Sequence, residues 1–182
     1  MNPAVSTTRV LRCLLLAGFA LFVTVVFSPA AIIVMNGSDA INTTSFNTGL
    51  HWTGGAAPIG VDVYQTAAFA LRSPTDLTPA TFAGSSLEVQ SGGEFRLKTI
   101  DTITVNNLTV DNTANLDITA PSGGNDGSLA GNITLNGTST FRSGIQGGEE
   151  ADTLTITAPI SGTGGFNTLG SVGTIILAAT NT

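Results

Sequence analysis

Five short segments of the chain can be laid under one another in a common register. They are SLEVQSGGEFRL from Ser86, NLTVDNTANLDI from Asn107, NITLNGTSTFRS from Asn132, TLTITAPI from Thr153 and TIILAATNT from Thr174. Their starts lie 21, 25, 21 and 21 residues apart. The second position is aliphatic in every segment (Leu87, Leu108, Ile133, Leu154, Ile175), and so is the fourth (Val89, Val110, Leu135, Ile156, Leu177). The residue between them is mostly polar, and a turn rich in Ser, Gly, Asn and Thr follows. In the first three units the tenth position is again large and apolar, as Phe95, Leu116 and Phe141; in the fourth, Gly162 takes that slot and Phe166 follows four residues later.

Alternation with period two, in β-branched residues bounded by Gly and Asn, predicts strands. No window of the chain past the N-terminal segment has the i, i+3, i+4, i+7 pattern of a helix. A unit of about 21 residues with one inward aliphatic pair cannot bury that face alone, so neighbouring units must stack on it. The expectation is an all-β fold, a single-stranded right-handed parallel β-helix with coils of about 21 residues. A two-sheet sandwich also has short strands at comparable spacing, but equal register within each unit favours the solenoid. The 25-residue unit carries its extra length in APSGGNDGSLAG (Ala120–Gly131), which can bulge outward.

The N-terminus reads differently. MNPAVSTTRVLR has two arginines and no acid, and Cys13–Phe27 holds fifteen residues without a charge before small residues at Ser28, Ala30 and Ala31. That order predicts a secretory signal peptide, helical in its apolar part and cleaved after Ala30. An uncleaved anchor is the competing reading, since apolar residues continue to Met35, but Ser28-Pro29 interrupts the run. The expected domains are 1–30 signal peptide, 31–85 an N-terminal β-rich capping region, and 86–182 solenoid repeats open at the C-terminal end. The chain stops at the ninth position of a fifth unit, one residue before its expected apolar anchor, which reads as a cut leaving an uncapped strand edge.

Charge excludes some partners. Beyond residue 30 there are four basic residues (Arg72, Arg96, Lys98, Arg142) against twelve acidic ones, a net charge of −8. Such a chain should repel nucleic acid and anionic membrane surfaces. The single cysteine, Cys13, leaves with the signal peptide, so packing and not disulfides must hold the exported protein.

LTITAPISGTGGF (Leu154–Phe166) followed by GSVGTIILAATNT (Gly170–Thr182) resembles the autotransporter-associated β-strand repeat of bacterial secreted passenger regions. It departs from that pattern at Asn167–Leu169, where the family often has a Lys, and in its wider GSVG turn. Upstream, HWTGGAAPIGVDVY (His51–Tyr64), LRSP and FAGSSLEVQSGGEF look like the region preceding such repeats in large exported proteins. The resemblance implies a parallel β-helical passenger, a stalk or adhesin-like surface protein. It assigns no chemistry to the repeat, and the barrel or sorting segment that anchors the family's passengers is not in this sequence.

No residue is assigned a catalytic, cofactor-binding or metal role. His51 is the only histidine and usual zinc ligation needs more; His51-Trp52 is expected to cover the N-terminal end of the stack. The acidic runs GGEEAD (Glu149, Glu150, Asp152) and GGNDG (Asp126) could supply oxygen ligands for calcium, but GGNDG occurs once, without the tandem period such sites need, and solvated loops are expected. Paired carboxylates can hydrolyse glycans, yet Asp111 and Asp117 do not share register positions with Glu88 and Glu94, so no acid cluster is forced. Arg96, Asp117 and Arg142 do share the eleventh position of their units, which predicts an Arg–Asp–Arg ladder on the surface. The sequons at Asn36, Asn42, Asn107 and Asn132, and Asn136 beside them, are read as incidental.

The function expected is a non-enzymatic, exported structural or adhesin-like surface protein, placed by the Sec pathway outside a bacterial cell or on its surface. A secreted carbohydrate-active or glycan-binding β-helix is the alternative. Expected partners are a cell-surface or matrix polysaccharide or protein, no nucleic acid, a membrane only through an uncleaved N-terminal segment, and other copies through strand edges.

Overall fold

A computed structural model describes residues 29–75, 78–118, 126–143, 152–169 and 173–181. Residues 1–28 of the proposed signal segment, Glu149 and Glu150 lie outside these residues. The described chain contains fourteen strands and no helix: β1 (Ile32–Val34), β2 (Val63–Gln65), β3 (Ala70–Arg72), β4 (Ala80–Thr81), β5 (Ser86–Val89), β6 (Glu94–Leu97), β7 (Thr102–Val110), β8 (Asn115–Ile118), β9 (Asp126–Leu135), β10 (Thr138–Ser143), β11 (Thr153–Ile156), β12 (Ile160–Gly162), β13 (Gly165–Thr168) and β14 (Thr174–Leu177).

The strands form two sheets. One runs β1-β2-β5-β7-β9-β11-β14, with β4 also beside β7 and β12 beside β9; the other runs β13-β10-β8-β6-β3. Every strand pair is parallel and joins one coil to the next, as in Leu87↔Leu108↔Ile133 and Phe95↔Leu116↔Phe141. The chain is a β-solenoid. Sandwich packing is excluded by this coil-to-coil pairing, since sandwich sheets are built from antiparallel neighbours.

Alternation explains the core. Leu87, Val89, Leu108, Val110, Ile133 and Leu135 point inward from the first sheet, and Leu71, Phe95, Leu97, Leu116, Ile118 and Phe141 from the second, all of them buried. The rings of Phe141 and Phe166 stack with centroids 4.3 Å apart. At the N-terminal end, Phe46, Trp52, Tyr64 and Phe82 pack edge to face or tilted over the first coils. Strands β1 to β4 pair in parallel with later coils, so residues 31–85 are continuous with the stack.

The register departs from the sequence alignment at one step. Thr153–Ile156 stacks on Asp126–Leu129, and it is Ile160 that stacks on Ile133. Coil length therefore varies, from 21 residues between Leu87 and Leu108 to 27 between Ile133 and Ile160 and 31 between Ile32 and Val63. The reason is that the first sheet presents two apolar arms per coil, Ile103/Val105 and Leu108/Val110 in β7, and TLTI alternates just as NITL does. Correspondingly, Thr168 pairs with Phe141 and Phe166 with Ser139, so Gly162 does not occupy the anchor slot.

The two corners behave differently. From the first sheet to the second, seven residues separate Tyr64 from Leu71, and in every later coil eight separate Leu87 from Phe95, Leu108 from Leu116, Ile133 from Phe141 and Ile160 from Thr168. From the second sheet back to the first, the separation is eight from Phe95 to Ile103, thirteen from Leu116 to Leu129 and fifteen from Phe141 to Ile156. Between its arms β7 carries one extra residue, Asn106 and Asn107 facing Asn132 alone, next to Gly131, whose φ is 110°. A Cβ at Gly131 would lie 1.8 Å from the Val105 carbonyl oxygen, so only glycine fits.

Candidate functional site

Where Leu71, Phe95, Leu116 and Phe141 point into the core, the residues beside them point out of the second sheet. Two outward rows result. Ala70, Glu94, Asn115 and Thr140 stand in register, and next to them Arg72, Arg96, Asp117 and Arg142. Lys98 takes the next alternate position just beyond β6. Every lysine and arginine of the chain beyond Arg12 therefore lies on this one sheet and its margin.

The Arg96–Asp117–Arg142 ladder exists, and Arg72 extends it. It is not the solvated surface ladder expected: the Asp117 side chain is 0% exposed, while that of Arg142 is 25% exposed. The long neighbours cover the short acid, as methylene stems of arginine readily do. Arg96 Nη2 pairs with Glu94 Oε2 at 2.6 Å, and Arg142 Nη2 donates to Asn115 Oδ1 at 2.8 Å. Arg142 Nε stands 3.6 Å from Asp117 Oδ1, too far for a hydrogen bond. Arg96 Nε and Arg142 Nε are buried without a hydrogen-bond partner, and the Asp117 carboxyl oxygens receive no donor from the protein, leaving the Glu94 carboxyl as the group Asp117 can share a proton with.

Burial pushes the Asp117 carboxyl up to about 8, and the neighbouring Glu94 carboxyl adds to the rise against the opposing pull of Arg142 and Arg96. Glu94 moves the other way. Burial would raise it, but the Asp117 carboxyl and the Arg96 guanidinium outweigh that and hold it below the usual range. One proton thus sits on Asp117 and a negative charge on Glu94, the division expected of two close carboxyls in unlike surroundings. Arg72 and Lys98 are both lowered, first by burial and then by repulsion from the neighbouring arginines.

Asp39, buried in the segment between β1 and β2, ties that segment to the same sheet. Its carboxylate accepts from the Ser45 amide at 2.9 Å, the Ser45 hydroxyl at 2.6 Å and the Arg72 amide at 2.9 Å. Between this segment and the outward rows opens a shallow groove of about 410 Å³, bordered by Ser38, Phe69, Glu94, Arg96, Asn115 and Arg142 among others.

The remaining candidates serve the fold. Trp52 is buried and its Nε1 donates to the Ser45 carbonyl at 2.6 Å, while half-buried His51 lies against Gly37. Glu88 accepts from Gln65 Nε2 at 2.7 Å, and Asp111 from Asn136 Nδ2 at 3.2 Å. Asp126 is exposed at the start of β9, but Asp152 is buried, contrary to the solvated loop expected, because its carbonyl accepts from the Ser143 hydroxyl and the Thr174 amide. Asn107 and Asn132 brace the stack: each side chain donates to the previous coil, to the Ser85 and Asn106 carbonyls. No group of three or more His, Cys, Asp or Glu side chains that could hold a metal ion is found among the described residues.

Sequence reasoning missed Asp39, Arg72 and Lys98. Arg72 was findable, because ALR repeats the outward-inward-outward pattern of EFR one coil earlier. Compared with known proteins, the chain matches no family model, no curated protein and no solved structure.

Proposed function

We propose that this chain is a non-enzymatic, exported structural or adhesin-like surface protein, a β-solenoid of the autotransporter-passenger kind. The observation that carries the reading is the second sheet's outer face, where a continuous stack and its margin gather the four cations of the described residues, Arg72, Arg96, Lys98 and Arg142. A solenoid of stacked coils is a rigid rod suited to presenting such a face. The leader-like composition of residues 1–30 supports export, and the Leu154–Thr182 segment supports the passenger resemblance.

A glycan-related role is the second reading, favoured by the unlike carboxyls Glu94 and Asp117 in one groove. Against catalysis stands the burial of Asp117, since a general acid must come within hydrogen-bond reach of its substrate. Incubating the chain with a panel of polysaccharides tests both. An inert, protease-resistant rod supports the structural reading, and turnover abolished by Asp117→Asn overturns it. Self-association through β13 and β14, beside which Leu169, Ile176 and Leu177 are exposed, belongs to the same reading and is checked by sedimentation.

A further inference from the structure

We infer that the outer face of the second sheet binds an acidic polysaccharide, with a uronate-type carboxylate seated against Arg96 and Arg142. This rests on the adhesive reading and names its ligand. Two buried polar atoms two coils apart, Arg96 Nε and Arg142 Nε, lack hydrogen-bond partners, and the buried Asp117 carboxyl between them has the Glu94 carboxyl as its hydrogen-bonding neighbour. Native folds leave few such groups, and a cluster of them calls for an explanation. The Asp117 side chain is wholly buried and lies on the same outward face as the groove-lining Arg96, Asn115 and Arg142.

Asp117 does not neutralise its arginines. At neutral pH its carboxyl is largely protonated, so the group 3.6 Å from Arg142 Nε carries little charge, and Glu94, paired with Arg96 at 2.6 Å, is the carboxylate the two arginines share. An external carboxylate supplies what is lacking, and arginine's planar fork suits it. The rest of the groove suits a sugar. Asn115 and Glu94 offer an amide and a carboxylate to ring hydroxyls, and Phe69 on its border offers an apolar surface to a ring face. Arg96 and Arg142 stand two coils apart with Asp117 between them, roughly 9.6 Å at one strand spacing per coil, comparable to the advance of two residues in an extended pyranose chain, so the two arginines can meet alternate residues.

Titration calorimetry of the whole chain with oligogalacturonate, its neutral methyl ester and polyglutamate is the test. Oligogalacturonate is expected to bind, more weakly as salt rises, and the ester at least tenfold more weakly. Arg96→Gln and Arg142→Gln should each lose tenfold or more, Arg142→Lys less, and Glu88→Gln on the other sheet nothing. Should a glutamine variant melt early, the arginine Nε–H signals of the unmodified protein give the same answer. Shifts at Arg96 and Arg142 on adding oligogalacturonate support the site, and shifts only elsewhere overturn it. No binding, equal binding of the ester, or tighter arginine-dependent binding of polyglutamate also overturns it. Failure here leaves the rod reading standing, whereas cleavage of the oligosaccharide removes that reading and leaves the binding site.

Discussion

The carboxyl of Asp117 and the guanidinium of Arg142 face each other in register on adjacent coils at 3.6 Å, a close approach without a hydrogen bond. Because burial raises Asp117 from 3.8 to about 8, the folded state holds a proton that the unfolded chain releases. The stability linked to that proton is fully present below about pH 4 and is lost as pH climbs towards 8. Glu94, held below its usual value, contributes in the opposite sense, and its share is lost as pH falls through its folded pKa. Asp117→Asn keeps the shape and removes the proton. Melts from pH 4 to 9 should show the variant ahead of the parent by on the order of 2 kcal/mol at pH 8 and level with it near pH 4. Parallel curves would refute the assignment.

Thr113 has φ of 63° in the turn from Asp111 to Ala114, a conformation a β-branched side chain resists. The equivalent turn one coil earlier has Gly92 at 77°. Thr113→Gly is expected to raise stability by about 1 kcal/mol, even though the exposed contact between the Ser91 and Thr113 hydroxyls is lost. Denaturant midpoints decide it: a lower midpoint sinks the strain argument.

Phe95 stacks on Phe46 with planes 3° from parallel, joining the N-terminal segment to the second sheet. Removing either ring opens a cavity. Phe95→Ala should cost about 3–5 kcal/mol and Phe46→Ala a similar amount. The double variant should cost less than the two together, because they share one contact. Full additivity in a double-mutant cycle would show that the rings are not coupled.

The two corners should respond unequally to added length. Ile100 is exposed in the connection from β6 to β7. Five glycine-serine residues inserted between Ile100 and Asp101 should cost only about 1 kcal/mol, as loop-closure entropy grows slowly with length. The same insertion between Asn112 and Thr113 breaks the short turn beside β8 and the bond from the Thr113 amide to the Thr138 carbonyl, so it should cost several times more. Equal midpoints for the two insertions would contradict the distinction.

Much of this fold was legible because alternation and unit spacing both report on which residues face the core. The stacking of Leu87, Leu108 and Ile133, and that of Phe95, Leu116 and Phe141, follow from them. The step to Leu154 was not legible: both arms of the first sheet alternate alike, and only the number of residues in the variable corner separates them. The Arg96–Asp117–Arg142 ladder could be aligned on paper, but the burial of Asp117 could not. That depends on long side chains from adjacent coils folding over a short one, which pattern does not encode. Asp39 contacts Arg72 across 33 residues, and no periodic signal marks it.

From Leu87 onward the corner from the first sheet to the second keeps to eight residues and so sets the register of every later coil, and the other corner is thereby released from that duty. Beyond that point, variation in length falls on the connections that return from the second sheet to the first. A chain built this way separates its ruler from its display: sequence in those connections can diversify, generation after generation, without renegotiating the core.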